Sequence, residues 1–304
     1  MKILTTGGCG FLGQYLNLEL SKNHEIVTLY HQHKRNCAEY KNFQIDICNY
    51  ENLKKVFDDF KPNVVVHTAS ISTPQKAEAL PTKIVYETNV AATKVIAEVC
   101  AQHNSKLIYT STDLVYAGYR GSYLKEDAKL IPISIYAETK LMGEEKIKST
   151  FDNYIILRTA LMFGFGLNGT SCFFHQMYDK LKAGERVRVF YDQFRSPLSV
   201  LEAARIIHHL CVSDIKGEII NFGGSERLSR YDLALMLCNH TGLDANLLEK
   251  ATMYDLPDLP HVADVSMNIE KLESFGFRLK NTHQAVAEIL HNRFLTNPVS
   301  QFEN

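Results

Sequence analysis

Thr5-Thr6-Gly7-Gly8-Cys9-Gly10-Phe11-Leu12-Gly13 decides how the chain is read. It follows the short apolar run Ile3-Leu4 and opens an amphipathic segment from Phe11 to Leu20. The order is strand, glycine turn, helix. Gly7, Gly10 and Gly13 give GxxGxxG; Gly8, Gly10 and Gly13 give GxGxxG. Such a turn brings backbone close enough to touch a pyrophosphate, and the helix start points free N–H groups at the anion. A glycine pattern alone also marks a plain tight turn. The strand-to-helix context makes this one a dinucleotide site, with Gly7, Gly10, Phe11, Leu12 and Gly13 against the cofactor. Cys9 reads as a small filler.

Working outward, strands and helices alternate, which implies an α/β fold: a doubly wound parallel Rossmann sheet with helices on both faces. Glu25–Tyr30 reads as a second strand and Phe43–Ile45 as a short third one ending at Asp46. Tyr50 to Phe60 is helical and is stopped by Pro62. Asn63–His67 is an unbroken apolar run, as a buried parallel strand requires. A long helix over 81–102 is expected to bury Ile84, Thr88, Ala91, Val95 and Val99 along one face. Lys106–Ser111 is a fifth strand. Ser134 caps a helix that runs to about Ser149, and Asn153–Arg158 is a sixth strand. Gly164, Gly166 and Gly169 mark an open loop. Helices are expected at 172–183, 199–213, 229–241 and 282–293, with Glu218–Phe222 a late strand added to the parallel sheet. The tail from Thr296 reads as loosely held. These elements divide the chain into an NAD(P)-binding Rossmann domain at 1–160, completed by 197–224, and a smaller substrate-binding lobe at 161–196 and 225–304.

The 304 residues carry 33 basic and 34 acidic side chains, a net charge of −1. No basic field points to nucleic acid or to an anionic membrane. The 45% apolar content suffices for a core. No apolar run approaches the ~20 residues of a bilayer span. Seven scattered cysteines without a CxxC pair suit a reduced, cytoplasmic chain, and a first strand at residue 2 or 3 leaves no room for a signal peptide. The histidines lack metal-ligand spacing, so no metal is expected; His208-His209 reads as solvent-facing.

An acid at the end of the second strand would hold the ribose 2′-hydroxyl of NAD. Here the strand ends in Tyr30-His31 without one, and Lys34-Arg35 follows. Cations would hold a 2′-phosphate that an acid would repel. His31, Lys34 and Arg35 therefore favour NADP(H) over NAD(H); the plainer reading of Lys34-Arg35 is a solvated turn. Asp46-Ile47 lies where an adenine amino group would be met, and Asp46 also suits the N-cap of the Tyr50 helix.

Tyr136-Ala-Glu-Thr-Lys140 is a YxxxK pair on one helix face. An ammonium beside a phenol favours the phenolate and draws its pKa of ~10 toward neutrality. Such a tyrosine gives a proton to a carbonyl as hydride arrives, or takes one from an alcohol. Thr112, at the mouth of the fifth strand, is placed to hydrogen-bond the reacting oxygen. A surface Tyr/Lys pair is the plain alternative.

Together, Thr-Gly-Gly-Cys-Gly-Phe-Leu-Gly, Val-His-Thr-Ala, Asn89 in Glu-Thr-Asn-Val-Ala-Ala-Thr, and Tyr136-x-x-x-Lys140 resemble an extended short-chain dehydrogenase/reductase. Ser111-Thr112-Asp113-Leu114-Val115-Tyr116-Ala117-Gly118 is similar to the Ser-Thr-Asp-x-Val-Phe-Asp-Gly stretch of the dTDP-4-dehydrorhamnose reductase branch, which the regulatory beta subunit of methionine adenosyltransferase shares. Leu157-Arg158-Thr159, Arg195-Ser196-Pro197, Asn221-Phe222-Gly223-Gly224 and Asp264-Val265-Ser266-Met267-Asn268 agree with that branch.

The resemblance implies Thr112, Tyr136 and Lys140 as the catalytic set, with Lys140 also on the nicotinamide ribose and Tyr136 and Asn89 among the cofactor contacts. It puts Thr68, Ala69 and Ser70 on the adenosine side of the cofactor and Arg158-Thr159 near the nicotinamide. Asn89 would support a water in the proton path or the nearby sheet geometry. Ser72, Asp113, Val115, Arg195 and His261 are the expected substrate contacts. The implied activity is NADPH-dependent reduction of a nucleotide-activated 4-keto-6-deoxy sugar, in a polysaccharide pathway such as dTDP-rhamnose biosynthesis. Relatives pair the 81–102 and Tyr136 helices in a homodimer; Glu138, Lys140, Glu144, Glu145, Lys146 and Lys148 make that interface less greasy here. The departures lie on the substrate side. His261-Val262 stands where relatives carry Arg-Pro, Ala117 replaces an Asp, and there is no tryptophan. A sugar-nucleotide epimerase and a non-catalytic NADP-binding regulatory subunit remain alternatives. Thr112-Asp113-Leu114 lacks the Asp-Glu pair of a dehydratase.

Overall fold

The computed structural model describes residues 1–119, 121–255 and 261–296. Ile3 and Leu4 are fully buried in β1 (Lys2–Thr6) because both faces of the sheet are covered, Ile3 packing into the core on one face and Leu4 into that on the other. The glycine turn leads into α1 (Phe11–Leu20), then β2 (Glu25–Tyr30) and β3 (Lys41–Gln44). β3 is the sheet edge and mostly exposed, so it starts and ends two and one residues earlier than its apolar Phe43–Ile45 signal suggested. α2 (Tyr50–Phe60) precedes β4 (Val64–His67), buried throughout.

The long helix departs from expectation. After α3 (Pro74–Glu78) come α4 (Thr82–Tyr86), a π-helical turn over Glu87–Ala91, and α5 (Ala92–His103). The π turn inserts an extra residue into the helical repeat and rotates the buried face. Val85, Asn89, Thr93, Ile96 and Cys100 point inward, whereas Ile84 is exposed. The expected stripe was therefore one residue out at its start.

β5 (Lys106–Thr112) is followed by α6 (Ile135–Lys148), whose first turn is capped by the Ser134 hydroxyl accepting from Ala137 N at 3.2 Å. β6 (Tyr154–Thr159) leads to β7 (Met162–Phe163), α7 (Phe173–Lys182), β8 (Val187–Phe190), β9 (Phe194–Arg195) and β10 (Leu198–Ser199). α8 (Val200–Val212) and β11 (Glu218–Phe222) return to the main sheet. β12 (Leu228–Ser229), α9 (Arg230–Thr241), β13 (Leu248–Ala251), α10 (Glu270–Ser274) and α11 (Thr282–Thr296) complete the described chain. The four later helices fall where their periodicity put them; the expected loose tail lies beyond residue 296, outside the described residues.

Seven parallel strands run β3-β2-β1-β4-β5-β6-β11. α1 and α8 cover one face through Leu16, Leu20, Ala203 and Ile207. The other face meets α2, α5 and α6 through Phe57, Ile96 and Ile147. Where α8 meets α1, His208 is half-buried rather than facing solvent, bonding Glu19 at 3.2 Å and standing edge-on to His24, while its neighbour His209 is exposed as expected. β7–β10, β8–β13 and β9–β12 form small two-stranded sheets, and Phe163, Phe165, Phe174, Leu237 and Val286 fill a separate aromatic-rich core. No helix of the described residues is long and apolar enough to cross a membrane.

The chain leaves β1 toward β2 on one side and resumes with β4 on the other. That switch opens a crevice beyond the strand ends, where α/β sheets take their ligands. The glycine turn floors it. A Cβ on Gly13 would lie 2.2 Å from the Gly7 carbonyl oxygen, a backbone atom that cannot step aside. Gly13→Ala is expected to cost about 1–3 kcal/mol and to weaken dinucleotide binding. Thermal unfolding and a cofactor titration check it; an unshifted Tm would mean the close approach is not real.

Candidate active site

A cleft of about 1420 Å³ follows the carboxyl ends of the central strands. Gly7, Gly10, Phe11, Leu12 and Gly13 line one end of it. Gly7 holds φ at +68°, and a Cβ there would strike Ala69 N at 2.7 Å. Gly10 starts α1 without any side chain capping the first turn, which also holds no acid. The first N–H groups thus face the cleft as an anion cradle, so these residues fit a dinucleotide pyrophosphate.

Next to it the expected ribose residues separate. His31 and Arg35 line the cleft; Lys34 is exposed outside it and precedes a short 3₁₀ turn over Arg35–Glu39. Arg35 adopts a left-handed φ of +46° and its guanidinium donates to the Cys9 carbonyl at 3.0 Å, bringing the cation over the glycine turn. Asp46 and Ile47 line the cleft. The Asp46 carboxylate accepts from Cys48 N at 2.9 Å, and Asn49, not Asp46, caps α2.

Thr68, Ala69, Ser70 and Ser72, in the loop after β4, form the adjoining wall. Asn89 does not reach the cleft. Its side chain exchanges two hydrogen bonds with the Ile71 backbone, at 2.9 and 3.2 Å, and donates to Thr139 at 3.1 Å. It braces the loop after β4 against α6.

Thr112, Tyr136 and Lys140 converge on the same cleft. Thr112 Oγ1 donates to Asp113 at 3.2 Å and accepts from Leu114 N at 3.3 Å. The expected lowering of the Tyr136 pKa is contradicted. Burial pushes the phenol up to about 12; contact with the Thr112 hydroxyl pulls it down, and the Asp113 charge adds to the rise. Desolvation of the anion outweighs the rest. Lys140 does not offset it. Its ammonium lies 4.2 Å from the Tyr109 ring centre, and burial draws the amine down to about 7 despite Glu144.

Lys140 and Glu144 are not solvent-facing charges of α6; both are buried. Glu144 accepts a fork from Arg158 (Nη2 to Oε2 2.9 Å, Nε to Oε1 3.2 Å) and a 2.5 Å bond from Ser111. Arg158 also donates to Tyr116 at 3.0 Å, whose hydroxyl donates to Asn221 at 2.6 Å. Arg158 therefore ties β6 to α6 instead of touching the nicotinamide region, while Thr159 does line the cleft.

At the far end Asp113 is buried and its Oδ2 has no hydrogen-bond partner. Arg195 approaches that oxygen at 3.6 Å, an ion-pair distance too long for a hydrogen bond. Arg230, which the sequence reading overlooked, also lines the cleft and lies over Phe173. The helix start at 229–241 was legible, but nothing local tells which cavity its first residue faces. Two expected substrate contacts fail. Val115 is buried in a core with Val262, Val265 and Met267. His261 is exposed against Tyr254, and Val262 takes the lining position.

The sheet order, the glycine cradle and the Thr/Tyr/Lys set define an NAD(P)-dependent oxidoreductase of the extended short-chain dehydrogenase/reductase type. Residues 1–294 match the RmlD substrate binding domain, and the chain belongs to that family. The dTDP-4-dehydrorhamnose reductase of Aggregatibacter actinomycetemcomitans is 27% identical over 303 residues, covering 95% of this chain and 98% of that protein. Methionine adenosyltransferase 2 subunit beta of Xenopus laevis is 26% identical over 90% of this chain and 82% of its own. The dTDP-4-dehydrorhamnose reductase of Bacillus anthracis, solved in complex with NADP, shares the fold with a TM-score of 0.84 at 22% identity, covering 96% and 99% of the two chains.

The Lys140 amine, at about 7 against a lysine's usual 10.5, carries a signed consequence. Across that window the unfolded chain holds a proton that the folded chain has released, so stability rises with pH there. Lys140→Met removes the effect. Its Tm is expected to exceed the parent's most near pH 7, with the gap closing toward pH ~10. Thermal unfolding over that range decides it; a constant gap would mean the amine titrates like a solvated lysine.

Proposed function

We propose that this protein is an NADPH-dependent reductase of a nucleotide-activated 4-keto-6-deoxy sugar. The observation that carries the reading is one cleft joining the glycine cradle, a buried Tyr136 beside Thr112, and two arginines near an Asp113 oxygen that lacks a hydrogen bond. Hydride to the carbonyl carbon is the chemistry that a reduced nicotinamide would supply when bound in this cleft. Tyr136 gives its phenolic proton to the carbonyl oxygen, completing the alcohol. Thr112 holds that oxygen and bonds the phenolate left behind, and Lys140, one turn along α6, holds the nicotinamide ribose. A phenol that keeps its proton at neutral pH suits reduction better than alcohol oxidation. Arg195 and Arg230 match the diphosphate of a sugar nucleotide, and Asp113 Oδ2 matches a hydroxyl donor on the sugar ring. All seven cysteines are free, which fits a cytoplasmic setting.

Tyr136→Phe is expected to lower turnover by at least ~10²-fold, the contribution of a positioned acid, with NADPH affinity retained. A fully active variant would sink the reading. The likeness to methionine adenosyltransferase 2 subunit beta supports a second one, a dinucleotide-binding regulatory subunit. It calls for NADPH binding with no turnover of any keto-sugar nucleotide by the parent chain.

The preference for NADP rests on Arg35 above the glycine turn and on the missing acid after Leu29. Losing a charge-assisted contact costs about 1.5–3 kcal/mol. Arg35→Ala should therefore weaken NADPH about ten- to a hundredfold and leave NADH nearly unchanged. Equal losses for both would make Arg35 a loop brace with no part in discrimination.

A further inference from the structure

His67 ends β4 as a fully buried imidazole in the middle of the sheet, and nothing in the reaction above uses it. Its two ring nitrogens each meet a threonine hydroxyl. Nδ1 lies 2.7 Å from Thr6 Oγ1, and Nε2 lies 3.0 Å from Thr93 Oγ1. The neighbours of those hydroxyls decide which way the protons point. Thr93 Oγ1 donates to the Asn89 carbonyl at 2.8 Å, and a carbonyl can only accept. The Thr93 proton is thus committed, and His67 Nε2 must be the donor to Thr93. On the other side Thr6 Oγ1 already accepts from Ala69 N at 3.2 Å, so its own proton is free for Nδ1. Both halves agree on one neutral tautomer, protonated at Nε2.

The result is a directed chain: Ala69 N–H to Thr6, Thr6 to His67, His67 to Thr93, Thr93 to the Asn89 carbonyl. It joins two parts of the cleft. Ala69 belongs to the wall that seats on Gly7, where Thr68 Oγ1 also donates to the Thr6 carbonyl at 2.7 Å. Asn89 grips Ile71 and Thr139, and Thr139 Oγ1 bonds back to the Ile135 carbonyl at 2.8 Å and the Tyr136 carbonyl at 3.0 Å. Lys140 and Tyr109 are the titratable groups facing the ring, and the Tyr109 ring packs on it at 5.4 Å. A charged imidazole there would oppose the Lys140 ammonium.

We propose that His67, as the Nε2–H tautomer, is a positioning residue that couples the cofactor wall at 68–70 to the catalytic helix α6. Its Thr6 limb sets the wall, and its Thr93 limb sets the turn of α6 that carries Tyr136. The inference rests on reading the cleft as a dinucleotide site.

Substitution can sever the limbs one at a time. An asparagine amide reaches the place of Nδ1, and a glutamine amide that of Nε2. His67→Asn keeps the Thr6 limb and cuts the Thr93 limb; His67→Gln does the reverse. Thr6→Val and Thr93→Val repeat the two cuts without touching the ring, and they serve if the histidine variants do not fold. NADPH affinity is read by fluorescence titration, turnover at saturating NADPH with a keto-sugar nucleotide, and folding by Tm. His67→Asn and Thr93→Val should lower turnover about tenfold and hold NADPH as the parent does, whereas His67→Gln and Thr6→Val should weaken NADPH about tenfold. Nitrogen-15 spectra of labelled histidines in the full chain should show the His67 proton on Nε2. If the parent binds NADPH but turns nothing over, the reductase reading fails, and the Ile71 amide exchange rate takes the place of turnover. Affinity and turnover falling together in step with Tm in all four variants, no change in any of them, or a proton on Nδ1 would each overturn the coupling.

Discussion

Glu144 and Arg158 form the interaction on which the site depends. Both are almost wholly inaccessible, and they meet in a fork between α6 and β6. A buried ion pair returns little net stability against a well-packed apolar pair, because each charge must first leave water. Its value is geometric. The fork admits one setting of α6 against the sheet, and Ser111 and Tyr116 satisfy the remaining lone pairs and protons. With Glu144 fixed, Lys140 and Tyr136 follow at one-turn intervals along the same buried face.

That setting explains the electrostatics. Carrying Tyr136 and Lys140 into the fold strips water from both, and desolvation pushes each toward its neutral form. The tyrosine keeps its proton and the lysine holds its own loosely. Proximity of an ammonium and a phenol in sequence implied the opposite for the tyrosine, since spacing carries no information about water. The same loss of water operates on Asp113 and Arg195, where a raised carboxyl and a lowered guanidinium sit beside an oxygen that lacks a partner. A cleft lined this way favours a ligand that brings its own hydroxyls and negative charge.

Much of this was legible in the chain. The glycine spacing, the alternation of strands and helices and YxxxK located the sheet, the glycine turn and the Tyr136/Lys140 pair that lines the cleft, because each is a local pattern. Local patterns fail where a residue's role depends on a distant partner. Arg158 looked like a cleft residue until Glu144 claimed it, and Lys34 and Arg35 are chain neighbours of which only Arg35 turns inward. The π turn shifted the face of the 81–102 helix, a change that helical periodicity does not anticipate. Arg230 took a place in the cleft lining, while His261, where relatives carry an arginine, stays outside.

The central claim is that burial keeps Tyr136 protonated at neutral pH, poised to give its proton. Carbon-13 labelling of the tyrosine ring carbon bearing the hydroxyl tests this directly, with Tyr136→Phe assigning the resonance. A Tyr136 signal that stays in the phenol range through pH ~9, below the ~10 of a free tyrosine, is the predicted result. A signal that moves to the phenolate position between pH ~6 and ~8 would contradict the account.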